Sequence, residues 1–338
     1  MKWEDEYYFD PEDIRIESRS LSVNYIMDLI SRDEINISTE FNRRSIWTIQ
    51  QKSLLIESLL LRIPIPSFYF YEDNKWKLHV IDGVQRLTTI YEFINDYFNL
   101  KTLNILHDCR NMYFGDLPQK YKYRILQTQL QVNVIDARTP KQIQFEVLRR
   151  LNSGGTSLTA QELRNTVATE ETRNLLNRMA NNYFFQNIIN SRNDRFQLQE
   201  YALRFIAFFR AYDPFHKEVL FTRGTMGDFL DDHFYEINND SSYFDTYVMA
   251  FDKSLEYIYA LLGDSHVFKD LRRNKNLIIV MLVVLSNMED IKGIDEQRLK
   301  LTLNNLEHIE SYFKSKKSYK HKVLMYFDVV NLILLGGN

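Results

Sequence analysis

The segment Val80-Ile81-Asp82-Gly83-Val84-Gln85-Arg86-Leu87-Thr88-Thr89 concentrates more potential chemistry than any other stretch of the chain. An Asp-Gly turn stands there between an apolar run and the start of a helical pattern. Amides at a helix N-terminus, a glycine that lets a ligand come close and an arginine one turn later suit a phosphate group. Gln85, Thr88 and Thr89 add neutral hydrogen-bonding groups. Asp82 is the candidate to hold a divalent cation or to orient a water. A plainer account stands beside it, in which Asp82 caps the helix and Gly83 makes the turn.

Glu57 offers a second carboxylate. It falls opposite much of the apolar stripe Leu54, Leu55, Leu59 and Leu60, so it is either an acidic group for metal or water, or a solvated helix residue. Trp47 reads as a core or interdomain anchor. The run Asn152-Ser153-Gly154-Gly155-Thr156 joins two helical patterns, with Thr159 and Glu162 spaced as a capping box. Such turns also make anion nests, which puts Asn152, Ser153, Gly154 and Gly155 among the candidate nucleotide contacts. Glu162 and Arg164 equally suit an ion pair between two parts of the chain. Lys314, Lys316, Lys317, Lys320 and Lys322, interleaved with Phe313 and Tyr319, form the strongest basic cluster. It reads either as a grip on a nucleic-acid backbone or as a solvated loop.

Several classes are excluded. No G-x-x-x-x-G-K-[ST] loop and no H-E-x-x-H pair occurs, and His79 and His107 lack metal-ligand spacing. His308 sits in a helical pattern without the context of an HNH nuclease. The single cysteine, Cys109, rules out an internal disulfide and a multi-cysteine zinc site. It fits a reducing cytoplasm. A net charge of −3 is not that of a uniformly basic nucleic-acid coat. The acidic start Met1–Glu6 lacks an apolar signal core, and the longest apolar run, Leu277–Leu285, is far short of a membrane span. The expectation is a cytoplasmic protein with no membrane partner.

The elements that must position these residues divide the chain in two. Up to about residue 140 the pattern is mixed. Helices are expected over 23–31, 49–61 and 85–95, the second opened by a Thr48/Gln51 capping box and ended by Ile63-Pro64-Ile65-Pro66. Strands are expected over 35–37, 67–71, 75–81 and 131–135, the middle two as a hairpin. From residue 141 helical periodicity dominates, over 141–151, 160–180, 197–210, 243–262, 274–288, 296–313 and 320–335. Only 10 glycines and 6 prolines argue against a loop-rich all-β protein, and 14% aromatics supply a substantial core. The fold class is α+β, with an α/β domain over 1–140, the link Asp136–Pro140 and an α-helical domain over 141–338. The aromatic helices of the second part also offer a surface for a homodimer.

Four ordered motifs resemble the GmrSD N-terminal domain family. Phe41-Asn42-Arg43-Arg44-Ser45-Ile46-Trp47 is similar to its F-x-R-x-x-x-W element, and Leu55–Pro66 to the segment that follows. Asp82-Gly83-Val84-Gln85-Arg86 resembles its D-G-Q-Q-R. The run Leu151–Arg164 resembles its L-N-S-G-G-T-x-L-x-x-Q-E-L-R, and Glu200–Phe208 extends the likeness. The resemblance implies a ParB- and sulfiredoxin-like fold, with Gly83-Val84-Gln85-Arg86 as its phosphate-contacting G-x-x-R element. Members include nucleotide-hydrolysing components of bacterial anti-phage restriction systems, some of them fused to an HNH nuclease. Carried over by position, Arg43 becomes a phosphate clamp facing Arg86. Asp82, Gln85, Arg86 and Glu57 become the candidate catalytic set, with Gly83 and Thr88 beside them. The implied ligands are a nucleoside triphosphate of unspecified base and Mg2+, and the implied partners DNA and a separate nuclease or effector. Val84 departs from the motif. If the glutamine usual there orients the attacking water, this chain binds nucleotide better than it hydrolyses it. Two other readings follow: a metal-dependent DNA nicking nuclease using Asp82 and Glu57, and a non-enzymatic nucleotide or DNA sensor.

Overall fold

The computed structural model describes residues 14–37, 47–73, 75–151, 159–190, 195–221, 225–262, 274–291, 294 and 319–334. Arg43, Asn152–Gly155, Lys314, Lys316, Lys317, His308 and the helix expected over 296–313 lie outside them. The chain divides into two compact units, Met1–Ser157 and Leu158–Asn338.

The first unit is built on a five-stranded sheet of mixed direction. Its strands are β1 (Ile16–Ser22), β2 (Ile35–Asn36), β3 (Phe68–Glu72), β4 (Leu78–Asp82) and β5 (Gln129–Ile135), in the order β1-β5-β3-β4-β2. The expected hairpin is β3 and β4, paired antiparallel, with the register slipping between Tyr69 and Phe70. Such a bulge bends the strand and re-aims its side chains, and here it sits opposite Asp82. β5 runs parallel to β3 and carries β1 antiparallel on its other side. The sequence reading missed β1 because its alternation, Ile16-Glu17-Ser18-Arg19-Ser20-Leu21-Ser22, has few apolar residues. As an edge strand its first three residues are exposed, so it needs no buried face.

Helix α1 (Val23–Ser31) starts at Ser22, whose side chain accepts the Tyr25 amide. Helix α2 (Ile49–Leu61) opens with the expected capping box, in which Thr48 and Gln51 satisfy each other's amides. It ends at Arg62 in the left-handed region, before the two prolines. Helix α3 (Val84–Ile94) follows β4 directly, and α4 (Gln119–Leu126) precedes β5. The core gathers Phe68, Phe70, Val80, Leu87, Ile90 and Phe93 with the inner faces of α1 and α2, and Trp47 packs against it. Helix α5 (Lys141–Leu151) falls within the first unit's residues.

The second unit is helical: α6 (Ala160–Val167), α7 (Glu170–Ala180), α8 (Tyr183–Ile189), α9 (Gln197–Ala211), α10 (Met226–Asn239), α11 (Phe244–Leu262), α12 (Lys275–Ser286) and α13 (Tyr319–Leu334), with a short hairpin of β6 (Tyr212–Asp213) and β7 (Glu218–Val219). The helix expected over 160–180 is two, because Thr169 caps a fresh start with its side chain on the Thr172 amide. Helix α12 is buried from Leu277 to Ser286 on every side, as a helix apolar all round must be. Glu162 and Arg164 pair within the helical unit. Arg164 meets Asp231 at 2.6 Å and Glu162 meets Arg195 at 2.6 Å, all within the helical unit. Among the described residues no helix is long and apolar enough to cross a membrane.

Candidate functional site

Asp82 is the last residue of strand β4, and the next residue turns the chain into α3. That turn requires glycine. Gly83 has φ +95°, and a Cβ there would stand 2.3 Å from Phe68 Cδ1 and 2.8 Å from its Cε1. Gly83 is also the N-cap of α3, and no side chain caps this helix. The simpler reading of the sequence, with Asp82 as the cap, is therefore overturned. Asp82 turns instead to Arg86, one helical turn on, and its Oδ2 accepts from Arg86 Nη2 at 3.0 Å. Gly83 has no side chain with which to cap the first amides of α3.

Arg86 is held from three directions. Nη1 donates to the Pro66 carbonyl, Nη2 donates to the Ser67 carbonyl at 3.3 Å, and the guanidinium carbon lies 4.5 Å from the centre of the Phe68 ring. Only 12% of its side chain is exposed, against 51% for Asp82. Burial pulls the guanidinium pKa down and the Asp82 charge opposes that pull. The fixed fork of an arginine suits such a multi-point bracket better than a lysine would. The segment 63–66, read from sequence only as a helix stop, thus supplies part of the arginine's mount. Only pairing in space could have revealed this, since twenty residues separate Pro66 from Arg86. Gln85 and Thr88 lie half-buried in the first turns of α3, and Thr89 is buried, its hydroxyl donating to the Gln85 carbonyl.

Glu57 is elsewhere in the hydrogen-bond network, and its environment corrects the sequence reading. It is 3% exposed, not solvated. Its Oε1 accepts the amides of Ile105 (2.7 Å) and Leu106 (2.9 Å), and its Oε2 accepts that of Asn104 (2.9 Å). Burial pushes its pKa up, but the three amides and His107 outweigh this and hold the carboxyl below its ordinary value. A carboxylate so occupied clamps the 104–106 loop to α2. The lysine cluster is described only in part: Lys322 is exposed on α13, and Lys320 lies in the same helix.

Residues 26–169 match the family model of the GmrSD restriction endonuclease, N-terminal domain. This bears out the likeness read from the motifs. The match spans less than half of the chain but includes Glu57, the Asp82–Arg86 turn and α6. No curated protein matches the chain.

A cation site can be weighed from the donor groups. Among the described residues no three histidine, cysteine or acidic side chains converge. Asp82 is one exposed carboxylate beside a guanidinium. That donor set fits a magnesium carried in on phosphates, which commonly takes only one or two protein carboxylates, and not a cation held by protein alone.

Proposed function

We propose that the Asp82–Arg86 turn binds the phosphates of a nucleoside triphosphate, and that the chain is the nucleotide-responsive component of a restriction-type DNA defence system. The observation that carries this reading is the start of α3. A glycine stands at the N-cap of the helix, an exposed carboxylate flanks it and a bracketed arginine lies one turn on. Amides and helix dipole together favour an anion there. In this reading the backbone amides of α3 contact phosphate oxygens, and Gly83 allows them to approach. Arg86 is chiefly a positioning residue. Three of its five N–H donors go to Asp82, Pro66 and Ser67, so it fixes the turn and adds positive charge beside it. Arg43 and Asn152–Gly155 remain candidates for the far side of the phosphates.

Hydrolysis would need a water directed at the terminal phosphorus, with the bond to the bridging oxygen breaking and inorganic phosphate released. Asp82 is the exposed acceptor available to orient that water. A magnesium arriving with the nucleotide would neutralise charge on the transferred group. Val84 offers no hydrogen bond where the family motif has glutamine. This favours a second reading, a sensor that binds nucleotide with little turnover and signals to DNA or to a separate effector protein. The nicking-nuclease reading has less support, because Glu57 is committed to three amides and leaves Asp82 as a lone carboxylate.

The experiment is calorimetric titration of the four nucleoside triphosphates with magnesium into the wild-type chain and Gln85→Glu. A carboxylate in the first turn of a helix stabilises it by about 0.3–1 kcal/mol, yet places negative charge against the phosphates. With both proteins titrated below their melting transitions, the variant should bind at least about tenfold more weakly. Undiminished affinity in the variant would remove the turn from the binding site. Failure of the wild type to bind any of the four would remove the reading itself.

A further inference from the structure

The helical unit holds basic groups that the nucleotide turn does not use, and three of its helices bring them to one end. Helix α12 starts at Asn274, whose Nδ2 donates to the Tyr326 hydroxyl of α13 at 2.7 Å. Five residues on, Asn331 of α13 accepts the Tyr212 hydroxyl at 2.7 Å, and Tyr212 shares a cleft with Val284 and Asn287 at the far end of α12. The two helices therefore run in the same direction. Helix α9 joins them through Arg204, whose Nη1 donates to Asn276 Oδ1 at 2.9 Å.

This packing gathers cations that lie far apart in the chain. Lys275 stands in the first turn of α12, with its Nζ 5.5 Å from the centre of the Tyr201 ring, and the Arg204 guanidinium carbon lies 4.8 Å from the same ring. Lys322 is exposed on α13 one turn before Tyr326, about 6 Å along the helix axis. Over 197–204, 274–278 and 319–326 the only acid is Glu200, and it is already spent on Arg204 Nη2. Arg204 Nε is buried and meets no acceptor. The dipole of α12 also opposes a lysine in its first turn. The cluster thus holds more positive charge than it pairs internally, in a chain whose net charge is −3.

The surroundings say which kind of anion would answer it. Among the described residues of these turns no large apolar side chain is exposed. Protein partners are anchored chiefly by buried aromatic and apolar groups, and membranes by inserted ones. Cations spread over three helices without such an anchor fit a line of repeated phosphates.

We propose that Lys275, Arg204 and Lys322 form a contact surface for the phosphodiester backbone of duplex DNA. Lys275 and Lys322 meet phosphates directly, and Arg204, fixed by Asn276 and Glu200, adds charge behind them. Contacts of this kind carry no base specificity. The surface does not rest on the nucleotide reading.

The test is fluorescence anisotropy of a short labelled duplex titrated with the full chain, without nucleotide, over a range of salt concentrations. The wild type should bind, and more weakly as salt rises. Lys275→Glu and Lys322→Glu, each confirmed as folded by circular dichroism, should each weaken binding about tenfold at low salt and take about 0.9 from the slope of log affinity against log salt. Lys75→Glu makes the same change of charge on the exposed β3–β4 turn of the first unit and should leave binding unchanged. A wild type that does not bind the duplex would overturn the proposal, as would unchanged salt slopes in the two helical-unit variants or an equal loss in Lys75→Glu. Binding of polyglutamate as tight as that of the duplex would overturn it too, by assigning the surface to an acidic protein.

Discussion

Replacing Glu57 by glutamine keeps the shape of the side chain and removes its charge. The wild-type carboxylate accepts three amides, two on Oε1 and one on Oε2. The glutamine oxygen can still serve the two amides of Ile105 and Leu106, but as a neutral acceptor, which weakens each bond by about 1–1.5 kcal/mol. Its NH2 then faces the Asn104 amide, donor against donor, and an unmet buried donor costs about 1–3 kcal/mol. The total is roughly 3–6 kcal/mol, large for a single substitution at a group that is 3% exposed. In a unit of this size that lowers the melting midpoint by roughly 6–24 °C. The assay is thermal unfolding followed by circular dichroism, paired with nucleotide titration below the transition. The expected result is a large loss of stability with the affinity of the folded protein preserved. A melting point close to wild type together with lost turnover would refute the reasoning, since it would make Glu57 a reacting group and not a clamp on the 104–106 loop.

The same logic extends to the turn and to pH. Gly83→Ala forces a side chain onto a residue at φ +95° and drives a Cβ into the Phe68 ring; left-handed strain of about 1–2 kcal/mol and overpacking of about 1–3 kcal/mol predict a loss of roughly 2–5 kcal/mol in urea unfolding. A loss well under 1 kcal/mol would mean that the turn relaxes freely. Acid should destabilise the first unit through Glu57 and Asp73. Burial pushes the Asp73 carboxyl up, but His79 and the amides of Lys77 and Lys75 outweigh it, so both groups sit below their ordinary values of 4.5 and 3.8. A depressed carboxylate stabilises fully above its unfolded pKa and loses that contribution as pH falls, so the urea midpoint should hold near neutrality and drop below about pH 4.5. The drop should be shallower in Glu57→Gln, and an equal slope in both proteins would exclude Glu57 as a source.

Much of the molecule was legible in the sequence. The Thr48/Gln51 capping box, the β3–β4 hairpin and the Asp-Gly turn into α3 are local events, set by hydrogen bonds and backbone preferences within a few residues, and each lies where the spacing put it. The family motifs were legible for the same reason, being short ordered strings. The tertiary structure decided what each of these residues touches. Strand β1 escaped detection because pairing with β5, and not a buried apolar face of its own, makes it a strand. That Pro66, Ser67 and Phe68 close around Arg86, and that the 104–106 amides meet Glu57 in place of the solvent that was one of its two readings, is visible only in the fold. A cap or a turn is decided by neighbours in the chain. Burial, and the partner a buried charge must then find, depends on residues tens of positions away that only the assembled sheet and helices bring together.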